Sequence, residues 1–392
     1  MAADVLDAAR RALGVSDDRA GFVVRSPGRV NLIGDHIDYS GGLVLPMALD
    51  RGTTAAVFPR VDDELRGYSA NFPSSGVVSA RLEATGRDSS HGWFSYALAV
   101  VDTALASGHR PTHGFDLYLD GNIPEGGGLS SSASVEVAVA VALEHQFRWG
   151  LDPTQWAVLC QRAENEYIGV ASGIMDQLAI ARGRDGMALL MDCSTLDCSF
   201  VPVPADQCAV LIANTHQPRQ LASSAYNERR AAVDKAKSII DASQDQPLPD
   251  LVSATTAQLD RAQAALRAAG VWSEARHTIT EQARVVRAAE ALAAGDMATM
   301  GRLMRESHES LRDDFRVTGD HLDALAAAAW ATPGVIGARM TGAGFGGCTV
   351  NLVRPGMVDE AATQIATRYE AATGITPDVF EVRASRGAHV LQ

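Results

Sequence analysis

Lysine is nearly absent. Of the 34 basic residues in the 392-residue chain, only Lys235 and Lys237 are lysines. Both lie in NERRAAVDKAKSII, which reads as a helix with a solvated charged face. A Walker A loop needs a lysine after its glycines, and a protein kinase needs a strand lysine on the phosphates. Two large phosphoryl-transfer families are therefore excluded by inventory. Positive charge is short as well. With 47 acidic residues the formal net charge is −13, whereas general binders of nucleic acid or anionic membrane need a positive field. The five cysteines are odd in number and form no C-x-x-C pair, which points to reduced cytosolic thiols with packing roles. No apolar run free of charge approaches the ~18 residues of a membrane span. The N-terminal MAADVLDAARRALGV carries acids and lacks the apolar core of a signal peptide, so a cytoplasmic protein is expected.

What is present is ordinary globular material, 46% apolar and 21% charged. At roughly 100–200 residues per domain, two domains are expected. Residues 21 to 58 alternate apolar runs with turn residues and read as strands around a polar loop. Residues 93 to 108 carry a helical pattern, 114 to 124 a strand, and Ser131 onward a helix of small apolar residues. Beyond a VPVPADQ linker and the buried strand CAVLIANT, the chain turns Ala/Arg/Glu-rich and helical to Ala331, then returns to strands and a last helix. The class is α+β, with domains predicted over 1–205 and 206–392.

Four segments carry chemistry. The first, EGGGLSSSAS (125 to 134), joins a strand to a helix. Glycine-rich turns there present several backbone N–H groups to one point, and the helix dipole adds about half a positive charge. Gly126, Gly127 and Gly128 would let a phosphate approach the backbone, while Ser130, Ser131 and Ser132 could cap the helix or donate to phosphate or Mg²⁺. The second, SPGRVNLIGDHIDYSGG (26 to 42), sets Arg29, Asp35, His36 and Asp38 between apolar strands. Unpaired burial of such groups costs several kcal/mol, so they must face solvent or a polar ligand. A divalent metal and a polyol both suit that set. The third, SGIMDQLAI, holds Asp176 amid apolar residues, and the fourth, TGAGFGGC (341 to 348), is a glycine-rich strand entry.

In order and spacing these segments resemble the motifs of the GHMP superfamily of small-molecule kinases, and within it the galactokinases. GRVNLIGDHIDYSGG resembles the galactokinase signature, PEGGGLSSSAS the phosphate loop, GIMDQ the catalytic-aspartate segment and TGAGFGGC the third motif. SSAYNERR (223 to 230) and LRDDFRVTGDHLDAL (311 to 325) resemble further galactokinase segments. The resemblance implies a ribosomal-protein-S5-like N-terminal domain and a ferredoxin-like C-terminal domain with the active site between them. It implies ATP and Mg²⁺ as cofactors, a sugar as acceptor at its anomeric hydroxyl, and no obligate protein partner. By position, Asp176 matches the residue that takes the hydroxyl proton, and Arg29 the arginine beside it. Asp35, His36, Asp38, Gly173 and Tyr226 match the sugar pocket. Gly126, Gly127, Gly128, Leu129, Ser130, Ser131 and Ser132 match the phosphate loop, with Ser132 near Mg²⁺, and Trp93 matches an aromatic near the adenine.

Two positions depart from the family pattern. Galactokinases usually carry glutamate where this chain has Asp35, and often threonine where it has Ile37. Losing one methylene retracts the carboxylate by about an ångström, which either a backbone shift compensates or a different acceptor exploits. That acceptor would be a modified hexose or C7-cyclitol of secondary metabolism. A sugar and ATP sensor is the non-enzymatic alternative, but sensors of this kind tend to lose part of the serine-alanine run, which is intact here.

Overall fold

In the computed structural model, which describes residues 2–86, 89–124, 126–217 and 222–391, the first apolar runs form one long antiparallel ladder. The opening helix α1 (Ala2–Leu13) leads into β1 (Phe22–Asn31), then β2 (Leu43–Val44) and β3 (Pro46–Pro59). β1 pairs with β3, and the register shifts between Pro27 and Arg29. Pro27 has no N–H to give the ladder, and at Gly28 a side-chain carbon would sit 2.7 Å from the Leu129 carbonyl. The strand therefore bulges where another backbone must come close, and the bulge re-aims Arg29.

β4 (Glu64–Ser69), β5 (Val78–Arg81), α2 (Ser95–Ala106) and β6 (Phe115–Gly121) complete the layer. Behind it lie α3 (Ser131–Phe147), α4 (Pro153–Arg162) and α5 (Met175–Arg182), with β7 (Met187–Asp192) and β8 (Cys198–Pro202) forming a small sheet with β2. Val137 to Leu143 of α3 are all buried, which is why that segment is apolar on every face.

The second half alternates β9 (Ala209–Asn214) with the helices α6 (Ala222–Asp241), α7 (Thr256–Ala268), α8 (Trp272–Ala294), α9 (Met297–Ser310) and α10 (Asp320–Trp330). It continues through β10 (Val335–Met340), β11 (Cys348–Val353), α11 (Val358–Thr373), β12 (Asp378–Val382) and β13 (His389–Leu391). A four-stranded antiparallel sheet in the order β10-β11-β9-β12 is covered by α10 and α11. The six-stranded sheet runs β13-β1-β3-β6-β4-β5. The sequence-based division at 205/206 thus needs correction at its far end. β13 pairs with β1, and Ala388 N–H donates to the Ile180 carbonyl, so the last residues return to the first sheet.

Cys160, Cys208 and Cys348 are buried, and Cys193 and Cys198 are partly so. Among the described residues no helix is long and apolar enough to cross a membrane.

Candidate active site

A cavity of about 360 Å³ opens where the bulged strand, the glycine loop, the start of α5, the start of α6 and the turn after β10 meet. Its centre is a two-pronged contact. Arg29 Nε and Nη2 donate to the two oxygens of Asp176 at 2.6 and 2.7 Å, and Arg29 Nη1 donates to the Gly128 carbonyl at 2.6 Å. This fork-on-carboxylate geometry fixes both groups in one plane. The Ser130 hydroxyl also donates to Asp176. Asp176 sits in the first turn of α5, and 28% of its side chain remains exposed to the cavity.

The glycine loop reaches the same space. Gly126 and Gly128 have φ of 65° and 76°, and Ser130, at φ 58°, is in the left-handed region despite its side chain. No serine side chain caps α3, so that reading of the run is not borne out and the hydroxyls face the cavity instead. Gly126, Gly128, Ser130, Ser131 and Ser132 line it. Gly127 and Leu129 do not: Leu129 is 1% exposed in the core, and Gly127 backs onto Pro124 and Cys348. Glu125 of the same motif lies outside the described residues.

The 35–39 stretch supplies the opposite wall. His36 has φ 66°, and burial, then the nearby His277, lowers its pKa to about 3, so the ring is neutral. Its Nε2 faces the Ala343 carbonyl at 3.1 Å and must carry the proton, leaving Nδ1 to accept from the Tyr39 hydroxyl at 3.2 Å. The ring packs between Tyr226 and Phe315, with centroids at 5.4 and 4.9 Å. Burial, then the neighbouring Asp176, pushes the Asp38 carboxyl up to about 7. At Gly173 a side-chain carbon would lie 1.9 Å from Asp38 Oδ2, so only glycine fits. Asp35 turns away to Arg339 at 2.5 Å and to the Gly342 N–H at 3.0 Å. Burial raises its pKa while the guanidinium opposes that shift. Among the described residues no group of three or more His, Cys, Asp or Glu could hold a metal ion, so the metal reading of Asp35, His36 and Asp38 gains no support.

Sequence reasoning missed several residues here. Glu164 lines the cavity from a π-helical turn (Ala163–Ile168) after α4. It accepts from the Ser172 hydroxyl at 2.6 Å and from Gln177 at 3.0 Å, while Ser132 Oγ lies 3.3 Å away. Burial pushes its carboxyl up. Gln177 also donates to the fully buried Glu136 at 3.2 Å. Nothing in AENEYIG separates Glu164 from Glu166, which makes an exposed pair with Arg162. Tyr96 lines the cavity, whereas Trp93, three residues earlier, packs on Phe94 with ring centroids 5.4 Å apart and is not among the lining residues.

Known proteins show the same arrangement of parts. Residues 10–59 match the galactokinase galactose-binding signature, 95–184 the GHMP kinases N terminal domain and 288–371 the GHMP kinases C terminal family. The chain is 42% identical over 363 residues to the galactokinase of Fusobacterium nucleatum subsp. nucleatum, covering 93% of each chain. It is 40% identical over 371 residues to that of Lactiplantibacillus plantarum, covering 95% of each. The crystal structure of Lactococcus lactis galactokinase complexed with galactose superposes with a TM-score of 0.95 at 35% identity over 99% of both chains. A mevalonate kinase, at 20% identity and TM-score 0.64 over 92% of this chain and 98% of its own, shares the fold.

Proposed function

This chain belongs to the galactokinases within the GHMP kinase superfamily, and from that premise we propose how its residues transfer the γ-phosphoryl group of ATP to the anomeric hydroxyl of galactose. The observation that carries the reading is the Arg29–Asp176 fork, set between the glycine loop and the 35–39 wall of one cavity. Phosphoryl transfer passes through a loose transition state, so positioning and charge stabilisation supply most of the catalysis. Asp176 orients the sugar hydroxyl and accepts its proton. A guanidinium and a serine hydroxyl hold the carboxylate in place for that transfer. Arg29 offsets the charge on the moving phosphoryl group. Backbone amides of the cavity-lining residues 126, 128 and 130 to 132, with the dipole of α3, hold the nucleotide phosphates and stand in for the missing lysine. His36, Asp38, Gly173 and Tyr226 frame the sugar.

Mg²⁺ suits the oxygens of Ser132 and Glu164, which lie 3.3 Å apart on the cavity wall. Two protein oxygens with nucleotide phosphates completing the shell is the manner in which this ion is usually held. When bound it neutralises phosphate charge. The odd number of cysteines and the use of ATP fit action in the cytoplasm.

Asp176→Asn tests the assignment. Turnover is expected to fall by roughly two to four orders of magnitude, with ATP still bound in a calorimetric titration. Activity near that of the unaltered chain would remove Asp176 from the mechanism.

A further inference from the structure

Asp35 lines the cavity, yet its side chain is only 1% exposed, against 28% for Asp176. Oδ1 accepts the Gly342 N–H at 3.0 Å, and Oδ2, which makes no hydrogen bond among the described residues, forms a 2.5 Å ion pair with Arg339 Nη1. Arg339 is fully buried on β10, and its Nε and Nη2 have no hydrogen-bond partner among the described residues. Asp35 is thus the counter-charge in contact with a guanidinium that is otherwise poorly satisfied.

The neighbouring contacts all cross the same seam. The Thr341 hydroxyl donates to the Asn31 carbonyl at 3.1 Å and accepts the Asn31 N–H at 3.0 Å, and Arg339 Nη1 reaches the Asn31 carbonyl at 3.3 Å. One residue beyond Asp35, His36 donates to Ala343; one residue before it, the Gly34 N–H donates to the buried Glu281 at 3.1 Å.

We propose that Asp35 is a positioning residue and not a sugar ligand: paired with Arg339 and Gly342, it pins the 34–39 loop to the glycine-rich turn 341–347 and thereby aims His36 and Asp38 at the sugar. With only 1% of its side chain exposed, where Asp176 keeps 28%, this carboxylate has no open face left to read the substrate. The shorter acid at this position then signals no change of acceptor. It is the length that reaches Arg339 and the Gly342 amide together. The inference rests on the galactose 1-kinase reading for its kinetic test and on the geometry alone for its second test.

The kinetic test compares the unaltered enzyme with Asp35→Asn on galactose and on each monodeoxygalactose. The sugar KM should rise roughly tenfold or more while kcat changes less than about threefold, and the rise should be the same factor for every sugar. Arg339→Met should reproduce the effect and Arg339→Lys, which keeps the charge, should soften it. A monodeoxygalactose on which Asp35→Asn costs nothing extra would identify a lost hydroxyl contact and overturn the proposal. The second test is a melting cycle that needs no substrate. The Asp35→Asn/Arg339→Met chain, which buries no unpaired charge, should melt above Arg339→Met alone. Independent, additive shifts would overturn the pairing. If Asp35→Asn does not fold, the double variant carries the sugar comparison. Absence of galactose turnover by the unaltered enzyme would instead sink the functional reading, and the melting cycle would still decide the pairing.

Discussion

Three aspartates share the cavity, and their partners give them different work. Asp176 is held by Arg29 and Asp35 by Arg339, whereas among the described residues no arginine forms an ion pair with Asp38, and its carboxyl is raised to about 7 by burial and by Asp176. A carboxyl raised in the folded state keeps a proton that the unfolded chain has already released. Its contribution to stability is full below the unfolded value near 3.8 and is lost as pH rises through about 7. Asp38→Asn should therefore stabilise the sugar-free protein at pH 8, by roughly 1–4 kcal/mol, and by less at pH 5. Sugar affinity of the unaltered chain should weaken below pH 7, while the variant binds poorly at every pH. Thermal melts and calorimetric titrations at both pH values check this, and equal melting of the two chains at pH 8 would contradict it. The site holds a carboxylate that the fold would be more stable without, which is the pattern expected of a functional residue.

At the scale of elements, the cavity is made where secondary structure is interrupted: a bulge in β1, a π-turn after α4, two glycine turns. Those interruptions explain what the sequence revealed. Charged residues between apolar strands and glycines between a strand and a helix have no comfortable structural excuse, so Arg29, Asp38 and the 126–132 loop were legible. The supports were not. α8 holds the sugar loop through Glu281 on the Gly34 N–H, Gln282 on the Leu43 N–H at 2.8 Å and His277 facing the Asp35 carbonyl at 3.3 Å. These residues lie some 240 positions from the loop, inside a helix whose composition reads as solvated. Burial of Glu281 is compensated by Arg284 at 2.6 Å, a neighbour pairing that surface helices also show. Gly173, on the turn before α5, was placed only by resemblance, and the geometry supplies its reason. In Gly173→Ala the new methyl would meet Asp38 at 1.9 Å, so Asp38 or the turn must move. A displacement of about an ångström at a positioning group costs up to roughly a hundredfold. Sugar KM should rise by tens-fold with ATP binding unchanged, since the phosphate loop is untouched. A steady-state KM within about twofold of the unaltered enzyme would show that the turn yields freely.

For the whole molecule, the site lies on the seam between two sheets, and that is where the expected two-domain division was simplest and least complete. Hydrophobic periodicity identifies layers but does not say which sheet a short terminal strand joins. His389–Leu391 closes the first sheet beside β1, so the chain begins and ends in the same layer and Arg29 sits on a strand paired on both edges. The third motif spans the seam, touching the phosphate loop through Cys348 and Gly127 and the sugar loop through Gly342 and Ala343. A fold built this way can hold ATP and sugar in line without a lysine, and the acceptor should be an unmodified hexose. The most direct test is to supply ATP and Mg²⁺ with galactose, other hexoses, hexosamines, uronic acids and C7-cyclitols, and to read the product by phosphorus NMR. Strong turnover of galactose, with phosphate on the anomeric oxygen, is the predicted result; weak galactose turnover beside a clearly better acceptor, or phosphate on any other hydroxyl, would contradict it.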